Sequence, residues 1–511
     1  MELIKERINI SETVCSGKTQ VMSDGDVLVP EIKPDMLKIL QVDAVSCITD
    51  IDVTDGKLFL SGKVNVTVLY VPDRENEKVR SAEGSFEFSH KAENGRIGAG
   101  MTAMVNCNVD RLEFSALNSR KVRIKAIVGI DYEVINVEEN EIACGTGSET
   151  AQTLTKTVTL SDVSDLSRHE FSVCEKIEVP TGQESVNEII KTDVKISDTE
   201  YKTLSGKIVV KGAVCVCVLY TDDDCNIEFT EAEIPFTEVF DAENVTEESV
   251  CDIDYSVMNV SGCVSEDSDG DRRIIEVEAE ISAQVKASDS VNTEILSDCY
   301  EPFRKTELVK RTMQAEEVAE RPSAQNTLRE IIEFPQDAPE VTGVYNVVAR
   351  PVVGKAELQG GKLLCEGRIE AYILYISDSS ESPVYSMKKD FPFSYMLECS
   401  CSGSGFTPKI KAEIKHISYN LNAAGELELR CILSLNAEVM KKQTIELIDE
   451  ANESDAESRG GMVIYFVQED DSLWSIAKRY GVPQSEIVKF NELEDDCPQK
   501  GERLFIPSCG K

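Results

Sequence analysis

Only one of 511 residues is tryptophan, Trp474, and only three are histidine: His90, His169 and His416. No apolar run approaches the ~20 residues that a membrane-spanning helix needs. The opening "MELIKERINISETVC" scatters charges where a secretory signal has an apolar segment, so the chain is expected to stay in the cytosol. Basic residues are scarce, 53 Lys and Arg against 93 Asp and Glu, for a formal net charge of −40. Such a field repels phosphate backbones and anionic lipid. It argues against nucleic acid and direct membrane insertion, and favours a basic protein surface as partner.

What is present belongs to a folded chain of three or four domains, with 41% hydrophobic and 29% charged residues. The cysteines number 17, an odd count without fixed spacing, as expected of thiols buried as small hydrophobes in a reducing compartment. "CVC" (Cys215, Cys217) and "CSC" (Cys399, Cys401) lack the CxxC spacing and the neighbouring histidines of a metal centre. No metal and no cofactor is expected.

The chain repeats itself. "GKLFLSGKVNVTVLYVPD" (56–73), "GKIVVKGAVCVCVLYTDD" (206–223) and "GKLLCEGRIEAYILYISD" (361–378) align without a gap, at domain spacing. Each is followed by "FEFS" (86–89), "IPFT" (234–237) or "FPFS" (391–394), and later by "KVRIKAIVGIDYEV", "RIIEVEAEISAQVKA" or "ELELRCILSLNAEVM". The period is two: Val64, Val66 and Val68 share one strand face, and Val122, Ile124 and Ala126 another. The fold predicted is mainly β, three antiparallel sandwich- or barrel-like units (1–145, 146–305 and 306–448). Gly56, Gly206 and Gly361 suit hairpin turns; Gly62, Gly212 and Gly367, inside strand patterns, suit bulges or close backbone approach. On these repeated frames the units resemble the SPOCS domain of clostridial sporulation proteins.

An enzyme kept in three copies should repeat its chemistry, and the histidines fall at unrelated places. The polar residues that do recur, Lys57, Lys207, Lys362 and the turn acids Asp73, Asp223 and Asp378, read as surface strand ends. "SGKTQ" (16–20) lacks the leading glycine and following helix of a phosphate loop. "EDSDGDRR" (266–273) places three acids at alternate positions but lacks the terminal Glu of a calcium loop, and reads as a hairpin. The chain is read as a non-enzyme.

The acidic stretch "DEANESDAESRGG" (449–461) reads as a flexible linker. Beyond it, 462–511 shows a βααβ pattern: strands "MVIYFV" and "RLFIP" enclose two helices. Asp471 can cap the first, Gly481 stops it, Pro483 opens the second, and Ile487 and Phe490 point inward, with Asn491 at its close. This small α+β tail resembles the LysM domain through "FVQEDDSLWSIAKRYGV", "EIVKFNEL" and "KGERLFIP".

That resemblance implies a groove for N-acetylglucosamine chains, with Asp470, Asp471, Ser472 and Leu473 on one side and Leu493, Glu494, Asp495 and Asp496 on the other. Where the family usually has Gly-Asp, this chain has Asp470-Asp471, which adds charge and removes glycine's conformational freedom. Trp474, one step off the helix's apolar face, is either a core-edge packer or an anchor for a protein partner, and the second reading is preferred.

SPOCS-type repeats closed by a LysM domain resemble clostridial spore-coat morphogenesis proteins of the SipL type. The resemblance implies a mother-cell protein at the forespore surface and spore coat, whose LysM domain engages a SpoIVA-like morphogenetic ATPase beside other coat proteins. The alternative is a protein gripping peptidoglycan glycan chains.

Overall fold

The computed structural model describes all residues but 75–76, 181, 336–339, 378, 380–382, 404, 456–461, 494–497 and 508–511. The first unit runs through β1 (Leu3–Leu28), β2 (Met36–Thr54), β3 (Lys57–Pro72), β4 (Arg80–Glu93), β5 (Thr102–Asn118) and β6 (Lys121–Thr146). The second repeats it as β7 (Gln152–Glu178), β8 (Val186–Leu204), β9 (Lys207–Asp222), β10 (Ile227–Asp241), β11 (Val250–Ser265) and β12 (Ile274–Tyr300). The third has β13 (Arg304–Glu320), β14 (Ser323–Ile332), β15 (Val341–Gln359), β16 (Lys362–Ser377), β17 (Val384–Glu398), β18 (Phe406–Leu421) and β19 (Leu427–Asp455). The tail is β20 (Val463–Phe466), α1 (Leu473–Tyr480), α2 (Gln484–Asn491) and β21 (Arg503–Ile506).

Each unit is a sandwich of two antiparallel sheets, as the alternation predicts. In the first, β1-β6-β5 faces β2-β3-β4. Val64, Val66, Val68, Val122, Ile124 and Ala126 all point into the layer between them. The shared Gly56, Gly206 and Gly361 have φ of +76°, +76° and +79° in the turns that join the central strands to their neighbours. Gly62, Gly212 and Gly367 each lie under the aromatic ring of the edge strand. A Cβ at Gly367 would stand 2.3 Å from the Val352 carbonyl oxygen and 2.7 Å from the Phe393 ring. The strand opposite also slips register there, at Ile48/Asp50, Ser197/Glu200 and Val353/Lys355. Close approach and bulge coincide.

The long strands do more than build sandwiches. The first half of β1 and the second half of β6 run on together as a two-stranded ribbon, from Leu3↔Thr146 inward. β7 with β12 and β13 with β19 do the same. Ile8, Ile10, Ile142, Val158, Leu160, Ile295, Met313, Ala315, Ile445 and Leu447 form one buried cluster among the three ribbons. The ribbons therefore bundle into a stalk, and a two-stranded ribbon becomes stable by burying its apolar face against two others. A second shared cluster takes Leu69, Leu219 and Leu374, the leucines of the repeated Leu-Tyr pair, together with Val79, Ile190 and Tyr345. The tyrosines of that pair, Tyr70, Tyr220 and Tyr375, turn instead into their own sandwich cores. One residue of each pair serves the unit and its neighbour serves the assembly.

One expectation changes. Residues 449–455, read as linker, continue β19 and pair with β13 out to Arg304↔Asp455. An exposed acidic strand end lacks the apolar alternation that would mark it, and its partner fixes it. Residues 456–461 of that stretch lie outside the described residues, as does Asp378. The remaining motifs behave structurally. "SGKTQ" lies within β1, and Asp267 accepts from the amides of Asp269 (2.9 Å) and Asp271 (3.0 Å), closing a hairpin turn at Gly270 (φ +90°).

Candidate functional site

The tail has a small core of its own. Val467, Leu473, Ile476, Ala477, Val482, Ile487, Leu504 and Ile506 are buried together, and Tyr300 of β12 completes the cluster from outside. The N-cap of α1 is Ser472, not Asp471. Its hydroxyl accepts from the Ser475 amide at 3.1 Å while Ser475 Oγ bonds back to the Ser472 backbone. Gly481 is in the left-handed conformation (φ +65°) at the end of the helix, as expected. Phe490 departs from expectation: it is 51% exposed, because the short second helix buries only Ile487.

The rim of the expected groove divides by role. Asp470 and Ser472 are exposed. Asp471 is committed: its carboxylate accepts from the Tyr465 hydroxyl and from the Gln468 amide (2.8 Å), and Arg479 stands 3.7 Å away. The Tyr465 hydrogen bond first, and the Gln468 amide next, hold Asp471 below the usual carboxylate range. With its side chain 8% exposed, Asp471 staples the turn and adds little charge to the groove. Asp470 is not among the positive-φ residues, so the backbone there makes no demand for glycine. Leu473 is 2% exposed, and only its backbone can face a ligand. Asn491 binds Phe505 through both its amide atoms, tying α2 to β21, and Leu493 packs against the core. Glu494, Asp495 and Asp496 lie outside the described residues.

Trp474 is half-buried and occupied by its own chain. The indole Nε1 donates to Asp298 Oδ2 at 2.8 Å, and the ring meets Tyr300 edge-on with centroids 5.1 Å apart. Lys478, one turn along α1, pairs with the other oxygen of Asp298. Tyr300 donates to the Val482 carbonyl at 2.9 Å, and the Phe303 amide donates to that of Gly481 at 2.8 Å. The tail thus sits on the end of the stalk through one side of α1, Trp474 and Lys478, and through the Gly481–Val482 backbone that follows it. Asp470 and Ser472 of the groove rim, just before the helix, stay exposed. Sequence reasoning missed Asp298, Tyr300 and Phe303. The uncommon left-handed φ of Phe303 (+66°) left no signal in the pattern.

A serine, a histidine and an aspartate do meet, on β7. Ser167 Oγ lies 2.8 Å from His169 Nε2 and also bonds Asp165. The acid here binds the serine, not the histidine. A single hydroxyl proton directed to the carboxylate leaves none for the imidazole to remove, and the His169 ring lies flat on Phe240 with centroids 4.2 Å apart. The trio is a structural chain of hydrogen bonds. The cysteines of "CVC" are likewise part of the packing: Cys215 bonds Ser197 and Cys217 lies partly buried against the shared core.

Three stretches, residues 35–117, 185–264 and 340–422, match the family "SipL, SPOCS domain", and residues 465–507 match the LysM domain. No curated relative matches the chain. One solved structure, the ferric yersiniabactin uptake receptor FyuA from Yersinia pestis, is 8% identical over 87% of this chain and 81% of its own, with a TM-score of 0.11, too low for any likeness of fold.

Proposed function

From a chain of the SipL type, three SPOCS domains followed by a LysM domain, we propose a non-enzymatic scaffold of spore-coat assembly. Both families fit a sporulation protein that carries a peptidoglycan-binding kind of domain, and neither family is catalytic. The scaffold works in the mother-cell cytoplasm at the forespore surface and spore coat. Its LysM domain grips a basement layer formed by a SpoIVA-like morphogenetic ATPase, and the SPOCS units gather other coat proteins.

The observation that carries this reading is the docking of α1 on Asp298 and Tyr300 with the Gln468–Ser472 rim left outward. A domain held by one face and exposed at another links two bodies, and three SPOCS units on one stalk offer neighbouring contacts whose affinities multiply through effective concentration. The net charge of −40 suits a basic partner surface.

A fluorescent fusion followed during sporulation tests the proposal. The full chain should ring the forespore, and a chain ending at residue 455 should be diffuse. A ring formed equally by the shortened chain defeats the role given to LysM.

A second reading, a grip on peptidoglycan glycan chains, draws support from the turn itself, since Asp471 is consumed by Tyr465 and Gln468 and Asp470 needs no left-handed backbone. Co-sedimentation of the full chain with insoluble peptidoglycan, set beside capture by the purified ATPase, separates the two.

A further inference from the structure

The third unit differs from the others where its outer strand breaks. β1 and β7 pass this point as continuous strands with a register shift, at Thr13/Cys15 and near Val163. In the third unit Pro322, which has no N–H for the ladder, separates β13 from β14. Glu320 ends β13 there and meets the loop after β17. The Ser400 amide donates to Glu320 Oε2 at 2.7 Å, and Cys401 Sγ lies 3.6 Å from the same oxygen. Cys399 completes the group, 3% exposed, and the donor atoms of Glu320, Cys399 and Cys401 all lie within 4.8 Å of one another. A cleft of about 570 Å³ opens beside them, lined also by Ser402, Phe406 and Lys441.

The repeat gives an internal comparison. Cys401 stands seven residues after "FPFS", and Arg96 stands seven after "FEFS". In the first unit Arg96 pairs with Glu12 of β1. The same corner in the third unit has a carboxylate and two thiols, and among the described residues no Lys or Arg pairs with Glu320; the nearby Lys441 pairs with Glu317 at 3.5 Å. By register Glu317 takes the place of Glu12 and has Lys441 as its cation, whereas Glu320 takes the place of Cys15 and meets two thiols instead.

We propose that Glu320, Cys399 and Cys401 form a three-ligand site for a thiophilic divalent cation of the Zn²⁺ class, with its fourth position open to the cleft. Two thiolates on a tetrahedral ion stand ~3.8 Å apart given Zn–S bonds of ~2.3 Å, so the donors need to close by only about 1 Å. On binding, each thiol releases its proton to solvent and the ion takes two sulfurs and one carboxylate oxygen. The open position makes this corner a place where a ligand from another coat protein, an imidazole or a thiolate, can complete the coordination.

The test uses the full chain, reduced and stripped of metal by chelator, and Zn²⁺ followed by Co²⁺ as probes. The wild type should bind one ion more tightly than Cys399→Ser/Cys401→Ser, and its Co²⁺ form should show sulfur-to-metal charge-transfer absorption that this variant loses. Glu320→Gln keeps both thiols and should weaken Zn²⁺ at least tenfold; it covers the case in which the double variant misfolds. Cys215→Ser/Cys217→Ser should bind as the wild type does. Equal stoichiometry in wild type and the Cys399/Cys401 variant, with Glu320→Gln also unchanged, overturns the site. So does a Cys399–Cys401 disulfide that survives treatment with excess reductant.

Discussion

Asp298 holds two donors of the LysM helix at once, the Trp474 indole and the Lys478 ammonium. Hydrogen bonds to a charged group are each worth about 1.5–3 kcal/mol, so Asp298→Ala should release the domain from the stalk to a measurable degree. Trp474 is the only tryptophan, and its fluorescence therefore reports this contact alone. The expected result is an emission shift to the red and stronger quenching by acrylamide in Asp298→Ala; an unchanged spectrum would show that Asp298 does not hold the indole. At the axis between the units, Lys191 is 8% exposed and bonds both Asp43 (2.8 Å) and Asp193 (2.9 Å). Burial pushes the Asp43 carboxyl up, but the Lys191 ammonium pulls it down by more, and it ends below the usual carboxylate range. A carboxyl depressed in the folded state contributes stability above its unfolded pKa of about 3.9 and loses it as pH falls through the folded value. Lys191→Met should cost roughly 2 kcal/mol at neutral pH, since it leaves partly buried carboxylates unpaired. That deficit should shrink as the pH drops below about 4, where the Asp43 carboxyl of the variant, without Lys191, protonates before that of the wild type; denaturant titrations at several pH values measure both.

At the scale of the strand, the inner glycines of the repeats let the two neighbouring strands of their own sheet crowd against the central one. Gly367→Ala places a methyl 2.3 Å from the backbone oxygen of Val352, which cannot swing aside, and overpacking of this kind costs about 1–3 kcal/mol. Gly56→Ala meets no atom within 4 Å but must hold φ at +76°, at a cost of about 1 kcal/mol. Thermal unfolding should therefore rank Gly367→Ala below Gly56→Ala, and the reverse order would place the strain in the turn. Gly206 and Gly361 share the turn's φ, so the same small cost is expected in each unit. Pro322 acts on a single unit, dividing one outer strand into β13 and β14 and so placing Glu320 beside the two thiols.

At the scale of the molecule, the units are bound by shared surfaces. Gln284 of the second unit exchanges two hydrogen bonds with the Val105 backbone of the first, at 2.7 and 3.0 Å, and Lys411 of the third reaches Asp252 of the second at 2.7 Å. The stalk adds the apolar cluster to which all three ribbons contribute. A single unit cut out as residues 152–300 exposes Leu160 and Ile295 on an unsupported ribbon. It should self-associate at micromolar concentration in light scattering after gel filtration, while a chain of residues 1–455 at equal concentration should not. A monomeric, folded single unit would mean that the ribbons need no partners.

Local alternation, turn glycines and the threefold recurrence of one frame determined the sandwiches, their number and the βααβ tail, because a period of two and a left-handed turn are properties of neighbouring residues. The helix stop at Gly481 and the inward valines of β3 were readable for the same reason. Only the tertiary structure decided that Leu69, Leu219 and Leu374 meet, that 449–455 is a strand, and that Trp474 faces Asp298 from 176 residues away. Those outcomes depend on which surfaces come together once each unit has buried its own core. An exposed-looking leucine, acid or indole carries no local mark of the partner that will cover it.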